Sequence, residues 1–321
     1  MTARLLARDR AAVAPALNLA DDSRPEERAA ARELLAALEA RVLFGGAPRL
    51  GLTGAPGAGK STLLDALVRA HRARGETVGI VAVDPSSQKS GGALLGDRVR
   101  VRSAANDSGV FFRSLAARES LGGLSDAARA AVTIMAAVFD VVIVETVGVG
   151  QSEGDVADLV DTLVFVAQPA AGDTVQFLKA GVLELPDIFA VGKADLGALA
   201  ERTARELESA LALGEKSDVA WIPPVVLLSA RDGTGIDALE AAIAKHRAHL
   251  AGSALTANRR RGRDAWLRGM LARRYGSYGL AALGGASALA EKLAAAPEVS
   301  GFALAEELGA AIERALRGGA A

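Results

Sequence analysis

Gly54-Ala55-Pro56-Gly57-Ala58-Gly59-Lys60-Ser61 is the stretch that most constrains the fold, because it fits the phosphate-loop pattern without a mismatch. The apolar run Arg49–Thr53 precedes it, and a helical pattern over Thr62–Arg74 follows it. Glycines let backbone N–H groups turn inward around phosphate oxygens, and the helix N-terminus attracts their charge. We expect Lys60 to bridge the β- and γ-phosphates and Ser61 to ligate Mg²⁺. The stretch, together with Thr62, therefore predicts a site for a nucleoside triphosphate.

Short apolar runs alternate with helical patterns along the two hundred or so residues that follow, which is typical of parallel βαβ units. Several of the runs are apolar without alternation, as expected for strands that are buried on both faces. The pattern predicts an α/β fold with a doubly wound, mostly parallel sheet. The predicted strands are Arg49–Thr53, Val78–Val83, Val110–Arg113, Val141–Thr146, Thr162–Val166, Ile188–Val191 and Val225–Leu228.

Helical segments flank this core at both ends of the chain. Leucine and valine recur at spacings of three and four within Arg24–Leu43, and no strand pattern appears after Leu250. There the sequence predicts a basic helix over Arg259–Arg274, a turn over Gly276–Gly285 and a helical tail over Ala286–Leu316. We therefore expect an N-terminal helical arm (1–44), a phosphate-loop domain (45–250) and a C-terminal helical extension (251–321).

Composition excludes several classes of function. The 321 residues carry 37 basic and 38 acidic side chains, so their net charge of −1 indicates neither a nucleic-acid nor a membrane partner. The chain has no cysteine and three histidines, which excludes disulfides, thiolate metal sites and cysteine nucleophiles. Its most apolar window, Ala130–Phe139, is well short of the ~20 residues of a membrane span. We expect an amphipathic helix rather than a targeting peptide at the N-terminus, and a cytoplasmic location.

Three acidic residues are candidates for holding Mg²⁺ or positioning water. Asp84 and Glu145 end predicted strands, and Asp97 lies in the segment between the second and third strands. Ligands of open parallel sheets bind beyond the carboxyl ends of the strands, which favours Asp84 and Glu145. Gly148 follows Glu145 closely, so the backbone could approach a γ-phosphate and rearrange when it leaves. The loop that continues through Gln151 is therefore a candidate nucleotide switch.

Two further segments are candidates for reading the base. Lys193-Ala194-Asp195 follows one predicted strand, and Ser229-Ala230-Arg231 follows the next. A carboxylate such as Asp195 can accept hydrogen bonds from the ring N–H and the exocyclic amine of guanine, a pair that adenine does not present. The stem of Lys193 would pack over the base, and the Ala230 N–H would reach the guanine oxygen. These segments predict selectivity for GTP and GDP.

With these motifs the chain resembles the methylmalonyl-CoA mutase-associated GTPases, the MeaB/ArgK family of the SIMIBI class of P-loop GTPases. Asp84-Pro85-Ser86-Ser87 and Glu145-Thr146-Val147-Gly148-Val149-Gly150-Gln151 are specific to that family. The resemblance covers about Leu5 to Leu280. Its other matching stretches are Gly51–Leu64, Gly91–Asp97 and Ala171-Gly172-Asp173 with Gln176, Lys179 and Gly181.

The resemblance implies roles for further residues. It makes Asp84, Asp97 and Glu145 the switch and Mg²⁺ acids. It makes Gly172–Lys179, with Asp173, Gln176 and Lys179, a mobile loop that communicates with a client enzyme. It also implies a homodimer formed through the C-terminal helices, and a role in loading and protecting adenosylcobalamin on a cobalamin-dependent mutase such as methylmalonyl-CoA mutase.

The chain departs from the family pattern at two positions. The usual Asn-Lys-x-Asp is Gly192-Lys193-Ala194-Asp195 here, which removes one side-chain contact to guanine, and Ala180 replaces a common second lysine after Lys179. Three alternative functions remain open: a nickel- or cobalt-delivery GTPase, an ATP-dependent kinase and a nucleotide-gated scaffold. The first requires cysteine or histidine clusters, and the second requires a separate substrate site with a catalytic base.

Overall fold

A seven-stranded parallel sheet forms the centre of the protein. The structure is a computed structural model that describes residues 1–22, 24–84, 107–116, 123–146, 152–169, 184–213 and 221–318. Within these residues the strand order is β3-β2-β4-β1-β5-β6-β7, and every neighbouring pair is parallel. The strands are β1 Arg49–Gly54, β2 Val78–Asp84, β3 Val110–Ala116, β4 Val141–Thr146, β5 Thr162–Ala167, β6 Ile188–Val191 and β7 Val225–Leu227.

Helices precede, connect and follow these strands. None of the helices in the described residues is long and apolar enough to cross a membrane. They are α1 Thr2–Leu6, α2 Val13–Asp21, α3 Pro25–Val42, α4 Lys60–Ala73, α5 Gly123–Val138, α6 Ser152–Ala157, α7 Ala198–Leu213, α8 Ile236–His249, α9 Ser253–Ala282, α10 Gly285–Ala295 and α11 Gly301–Gly318.

Helices cover both faces of the sheet, as a doubly wound fold requires. On one face, α4 and α8 pack their apolar side chains, such as Leu63 and Leu239, against Ile80, Ile143 and Val164. On the other face, the N-terminal helices, α5 and the C-terminal helices share one apolar cluster with Val142 and Val144 of β4. The two helical ends of the chain are thus built onto the sheet.

The predicted strands are confirmed, with ends that shift by no more than a few residues. The prediction for the C-terminus is partly wrong. Helix α9 continues through the predicted turn with a kink at Gly276, and the chain leaves it only at Leu283. The predicted tail is two helices, because the segment around Pro297 separates α10 from α11. Proline lacks the N–H that a helix interior uses.

Candidate nucleotide-binding site

The loop between β1 and α4 has a backbone that only glycine adopts readily. Gly54, Gly57 and Gly59 have φ angles of 138°, 79° and 96°, in the left-handed region. A Cβ on Gly54 would also lie 2.2 Å from the carbonyl oxygen of Val166 in β5. The structure therefore places the Gly54–Ser61 stretch in the strand–loop–helix context that a phosphate loop needs.

Lys60 is the first residue of α4, and its side chain is held inside this loop. Its Nζ donates hydrogen bonds to the carbonyl oxygens of Gly54 (2.8 Å) and Ala55 (2.9 Å). The residue is only 6% exposed, so these contacts help to compensate the desolvation of its charge. Positive charge and the N-terminus of α4 therefore coincide at one point, as an anion site requires.

Ser61 and Glu145 are joined directly at the carboxyl edge of the sheet. The Ser61 hydroxyl donates a 2.7 Å hydrogen bond to Oε1 of Glu145. The two residues meet because β1 and β4 are neighbours, with Leu52 of β1 in register with Glu145. Hydroxyl and carboxylate oxygens are ligands that Mg²⁺ accepts, so this pair fits the predicted metal site. Mg²⁺, when bound, neutralises charge on phosphate oxygens.

Asp84 is the last residue of β2, which neighbours β4, so its backbone lies at the same edge of the sheet. Its side chain is outside the described part of the structure. The other predicted metal ligand, Asp97, and the predicted switch and partner residues also lie outside the described residues. These are Gly148, Gln151, Asp173, Gln176 and Lys179.

One pocket brings the predicted base-reading residues to the phosphate loop. Its volume is about 290 Å³, close to the lower end of the size range of small-ligand sites. Apolar walls from Leu63, Val166 and Leu228 would suit a flat base. The other lining residues are Ala58, Gly59 and Thr62 of the loop and α4, and Gly192, Lys193, Asp195, Ser229, Ala230 and Arg231 after β6 and β7.

The chain after β6 is turned sharply to reach this pocket. Lys193 has φ 57° and ψ 43°, a left-handed conformation that residues other than glycine seldom adopt. Backbone hydrogen bonds fix the turn, from Gly192 N to Ala167 O and from Ala194 N to Leu228 O, both 2.9 Å long. These bonds tie the ends of β5, β6 and β7 together, so the polar side chains that follow them face one pocket.

Gln168 belongs to this site and was not singled out from the sequence. It follows β5, and its amide lies between Gly57 of the phosphate loop and Lys193. With the amide nitrogen toward the loop, Nε2 donates to the Gly57 carbonyl oxygen (3.0 Å) and Oε1 accepts from Lys193 Nζ (3.3 Å). The sequence does contain a signal that could have identified Gln168. It is the first polar residue after an apolar strand, a position comparable to those of Asp84 and Glu145 at the ends of their strands.

The chain matches a family model described as methylmalonyl-CoA mutase-associated GTPase MeaB, over residues 13–276. It is 39% identical over 243 residues to GTPase ArgK of Escherichia coli, covering 75% of this chain and 73% of that protein. It is 37% identical over 238 residues to the methylmalonic aciduria type A homolog, mitochondrial, of Mus musculus, covering 71% of this chain and 57% of the mouse protein.

A solved structure is also similar to the chain. The crystal structure of a LAO/AO transport system kinase has a TM-score of 0.68 and 30% sequence identity, and the match covers 91% of this chain and 95% of that one. The likeness therefore includes most of the helical ends as well as the sheet.

Proposed function

Since the chain belongs to the family of methylmalonyl-CoA mutase-associated GTPases, and is thus a P-loop protein that hydrolyses GTP, we propose that hydrolysis controls a partner enzyme. The partner is a cobalamin-dependent acyl-CoA mutase of the methylmalonyl-CoA mutase type. The GTPase would gate the loading and protection of its cofactor. Support for this partner comes from the description of the family and from the name of the mouse relative.

The hydrogen bond between Ser61 and Glu145 is the observation that carries the proposal. It links the phosphate loop to the end of β4, immediately before the predicted switch segment 147–151. A change of charge at the γ-phosphate and Mg²⁺ would therefore act on Glu145 and on the chain that leaves it. That chain continues into α6.

The end of α6 is in close contact with the C-terminal helix α9. The Gly262 backbone approaches Asp158 so closely that a Cβ at position 262 would lie 2.1 Å from the Asp158 carbonyl oxygen. Arg129 Nη2 donates to the carbonyl oxygens of both residues, at 2.8 Å to Gly262 and 3.3 Å to Asp158. A rearrangement after Glu145 would thus reach the helices that, we propose, form a homodimer.

The remaining parts of the proposal concern the ligands and the location. We assign Mg²⁺ binding to Ser61 and Glu145, with Asp84 and Asp97 as further ligands, and base recognition to Lys193, Asp195 and the Ser229–Arg231 segment.

We propose a cytoplasmic location without a nucleic-acid or membrane partner, which the net charge of −1 favours. We also propose that the chain is divided at residues 44 and 250 into an N-terminal helical arm, a GTPase domain and a C-terminal helical extension.

The alternatives differ in what the site must contain. A metal-delivery GTPase needs a cargo site, and no three His, Cys, Asp or Glu side chains converge as metal ligands within the part of the chain that the structure describes. The kinase alternative has one point in its favour, since the similar crystal structure is that of a LAO/AO transport system kinase. A scaffold would share the whole nucleotide site and would differ only in turnover.

Calorimetry with GTP, GDP and ATP, each with Mg²⁺, tests the nucleotide assignment. We expect GTP and GDP to bind and ATP to bind much more weakly. GTP turnover with and without methylmalonyl-CoA mutase, together with co-elution of the two proteins, tests the partner. A preference for ATP would favour a kinase. The proposed partner would be contradicted if methylmalonyl-CoA mutase neither changed the rate of GTP hydrolysis nor co-eluted with the protein.

A further inference from the structure

Gly192 lacks the asparagine side chain that the base-reading motif usually carries, and Gln168 lies nearby, between the phosphate loop and Lys193. We propose that Gln168 replaces the missing asparagine side chain, as a positioning residue that ties the phosphate loop to Lys193. With its amide nitrogen toward the loop, Gln168 joins the Gly57 carbonyl and the Lys193 ammonium through the two ends of one amide, over 3.0 Å and 3.3 Å. This inference rests on the proposed assignment of Lys193 and Asp195 to base recognition.

The geometry at Gly192 shows where an asparagine would reach. A Cβ built on Gly192 would lie 3.1 Å from the Ala58 carbonyl oxygen and 3.7 Å from that of Ala167. An amide attached there would extend toward the phosphate loop and donate to its carbonyls. Glycine has no such donor, and β6, which precedes it, consists of the apolar residues Ile188–Val191.

Gln168 reaches the same loop from the neighbouring strand. It follows β5, which pairs with both β1 and β6, so it lies between the phosphate loop and the start of the base-reading segment. Its acceptor on the loop, Gly57, is next to Ala58, toward which the Gly192 Cβ would point. The amide of Gln168, which follows β5, can therefore connect the phosphate loop to the base-reading segment as an asparagine amide after β6 would.

The connection has a specific consequence for Lys193. Its backbone is in the left-handed conformation, and it lines the pocket from the side where the base would lie. When Lys193 Nζ is held by the Gln168 amide oxygen, the aliphatic stem of Lys193 is restricted to one conformation along the pocket. Because loop and base segment contact parts that GTP and GDP share, the tether should affect both nucleotides equally.

Gln168→Met is the sharpest single variant, since methionine keeps the length and volume of glutamine without its hydrogen bonds. We expect the Kd of GDP and of a non-hydrolysable GTP analogue, measured by calorimetry with Mg²⁺, to rise about two- to twelvefold by the same factor. The loss should appear in KM rather than in kcat. Wild-type affinity in Gln168→Met, with Gln168→Ala impaired, would mean that the side chain only fills space and would overturn the proposal.

Gly192→Asn tests replacement directly. In the wild-type background we expect a change in Kd of less than about twofold, because Gln168 already makes the connection that the new asparagine would supply. In the Gln168→Met background the same change should recover most of the lost affinity. Equal effects of Gly192→Asn in both backgrounds would contradict the proposal.

Two controls separate this inference from its premises. Asp195→Ala should weaken binding of both nucleotides strongly, and if it does not, the base site itself is misplaced. If Asp195→Ala weakens binding while Gln168→Met does not, only the role of Gln168 is wrong. Thermal unfolding without nucleotide detects a general loss of stability in any of these variants.

If Gln168→Met does not fold, Gln168→Glu is the variant that tests the tether in its place. Glutamate keeps an acceptor for Lys193 but cannot donate to Gly57, so wild-type affinity there would also overturn the tether.

Discussion

Arg259 of α9 forms a two-point ion pair with Asp161, the residue directly before β5, through Nε–Oδ1 and Nη2–Oδ2 distances of 2.7 Å each. Both side chains are almost completely buried. Arg259 also donates to the carbonyl oxygens of Val42, Gly45 and Ala47 between α3 and β1. One side chain from the C-terminal extension therefore holds the N-terminal arm and the sheet together.

Removing one partner of this pair should be costly. We expect Arg259→Met to lower the free energy of unfolding by about 3–5 kcal/mol, because Asp161 is left buried without its main counter-charge. Burial raises the pKa of Asp161, yet the hydrogen bonds and charge of Arg259 outweigh this and keep the pKa low. Urea unfolding gives the measurement, with the exposed Arg261→Met as a matched control. A loss below about 1 kcal/mol would show that the pair is not an anchor.

Lys60→Ala should abolish GTP hydrolysis and weaken binding of the triphosphate. A charge-assisted contact to phosphate contributes about 1.5–3 kcal/mol, which corresponds to at least a tenfold rise in Kd. Turnover and calorimetry give both values, and Lys245→Ala on the exposed surface of α8 controls for loss of one positive charge. Ser61→Ala should instead mainly reduce the dependence on Mg²⁺. Normal turnover in Lys60→Ala would rule out the site.

Glu145→Gln tests the switch without removing the contact to Ser61, since the amide oxygen can still accept that hydrogen bond. We expect turnover to fall at least about tenfold, because one lost transition-state contact of about 1.4 kcal/mol suffices. The Kd of GDP should change much less. Equal losses for GTP and GDP would indicate that Glu145 only supports the loop.

Asp140 predicts how the protein responds to acid. Its carboxylate accepts from the N–H (2.8 Å) and hydroxyl (2.7 Å) of Thr77 and pairs with Arg8 of the N-terminal segment. Partial burial raises its pKa, but these bonds outweigh burial and lower the pKa to about 2. Because the folded pKa is below the unfolded value of about 3.9, the stabilisation is complete above that pH and is lost as pH falls toward 2.

We therefore expect the wild type to lose stability progressively between about pH 4 and pH 2, and Asp140→Asn to lose less over the same interval. Urea midpoints at several pH values give the comparison. Parallel curves for the two proteins would mean that Asp140 does not contribute.

Lys179→Ala tests the proposed signal to a partner. If the loop around Lys179 contacts the mutase, the variant should keep its intrinsic GTP hydrolysis and lose stimulation by methylmalonyl-CoA mutase. Lys245→Ala removes one positive charge as well and should retain the stimulation. Full stimulation of Lys179→Ala would place the communicating surface elsewhere.

The sheet and the phosphate loop could be predicted because their signals are local. A continuous apolar run such as Val141–Val144 indicates a buried strand wherever it occurs, and the glycines at 54, 57 and 59 reflect φ angles of their own residues. A glycine near the C-terminus gives no such local signal. Gly279 lies in the predicted turn, yet in the structure it is a helical position that Tyr275 approaches so closely that a Cβ would clash.

From the sequence alone, the chain is a P-loop protein with candidate acids at strand ends and candidate base-reading segments, since each depends on a few consecutive residues. Tertiary structure decided which of these meet. Gln168 lies between Gly57 and Lys193 only because β5 is flanked by β1 and β6. Asp161 and Arg259, 98 residues apart, pair only because α9 packs beside the amino end of β5. Strand order and helix packing arise from the burial of apolar surface by the whole chain, and no short stretch of residues encodes them.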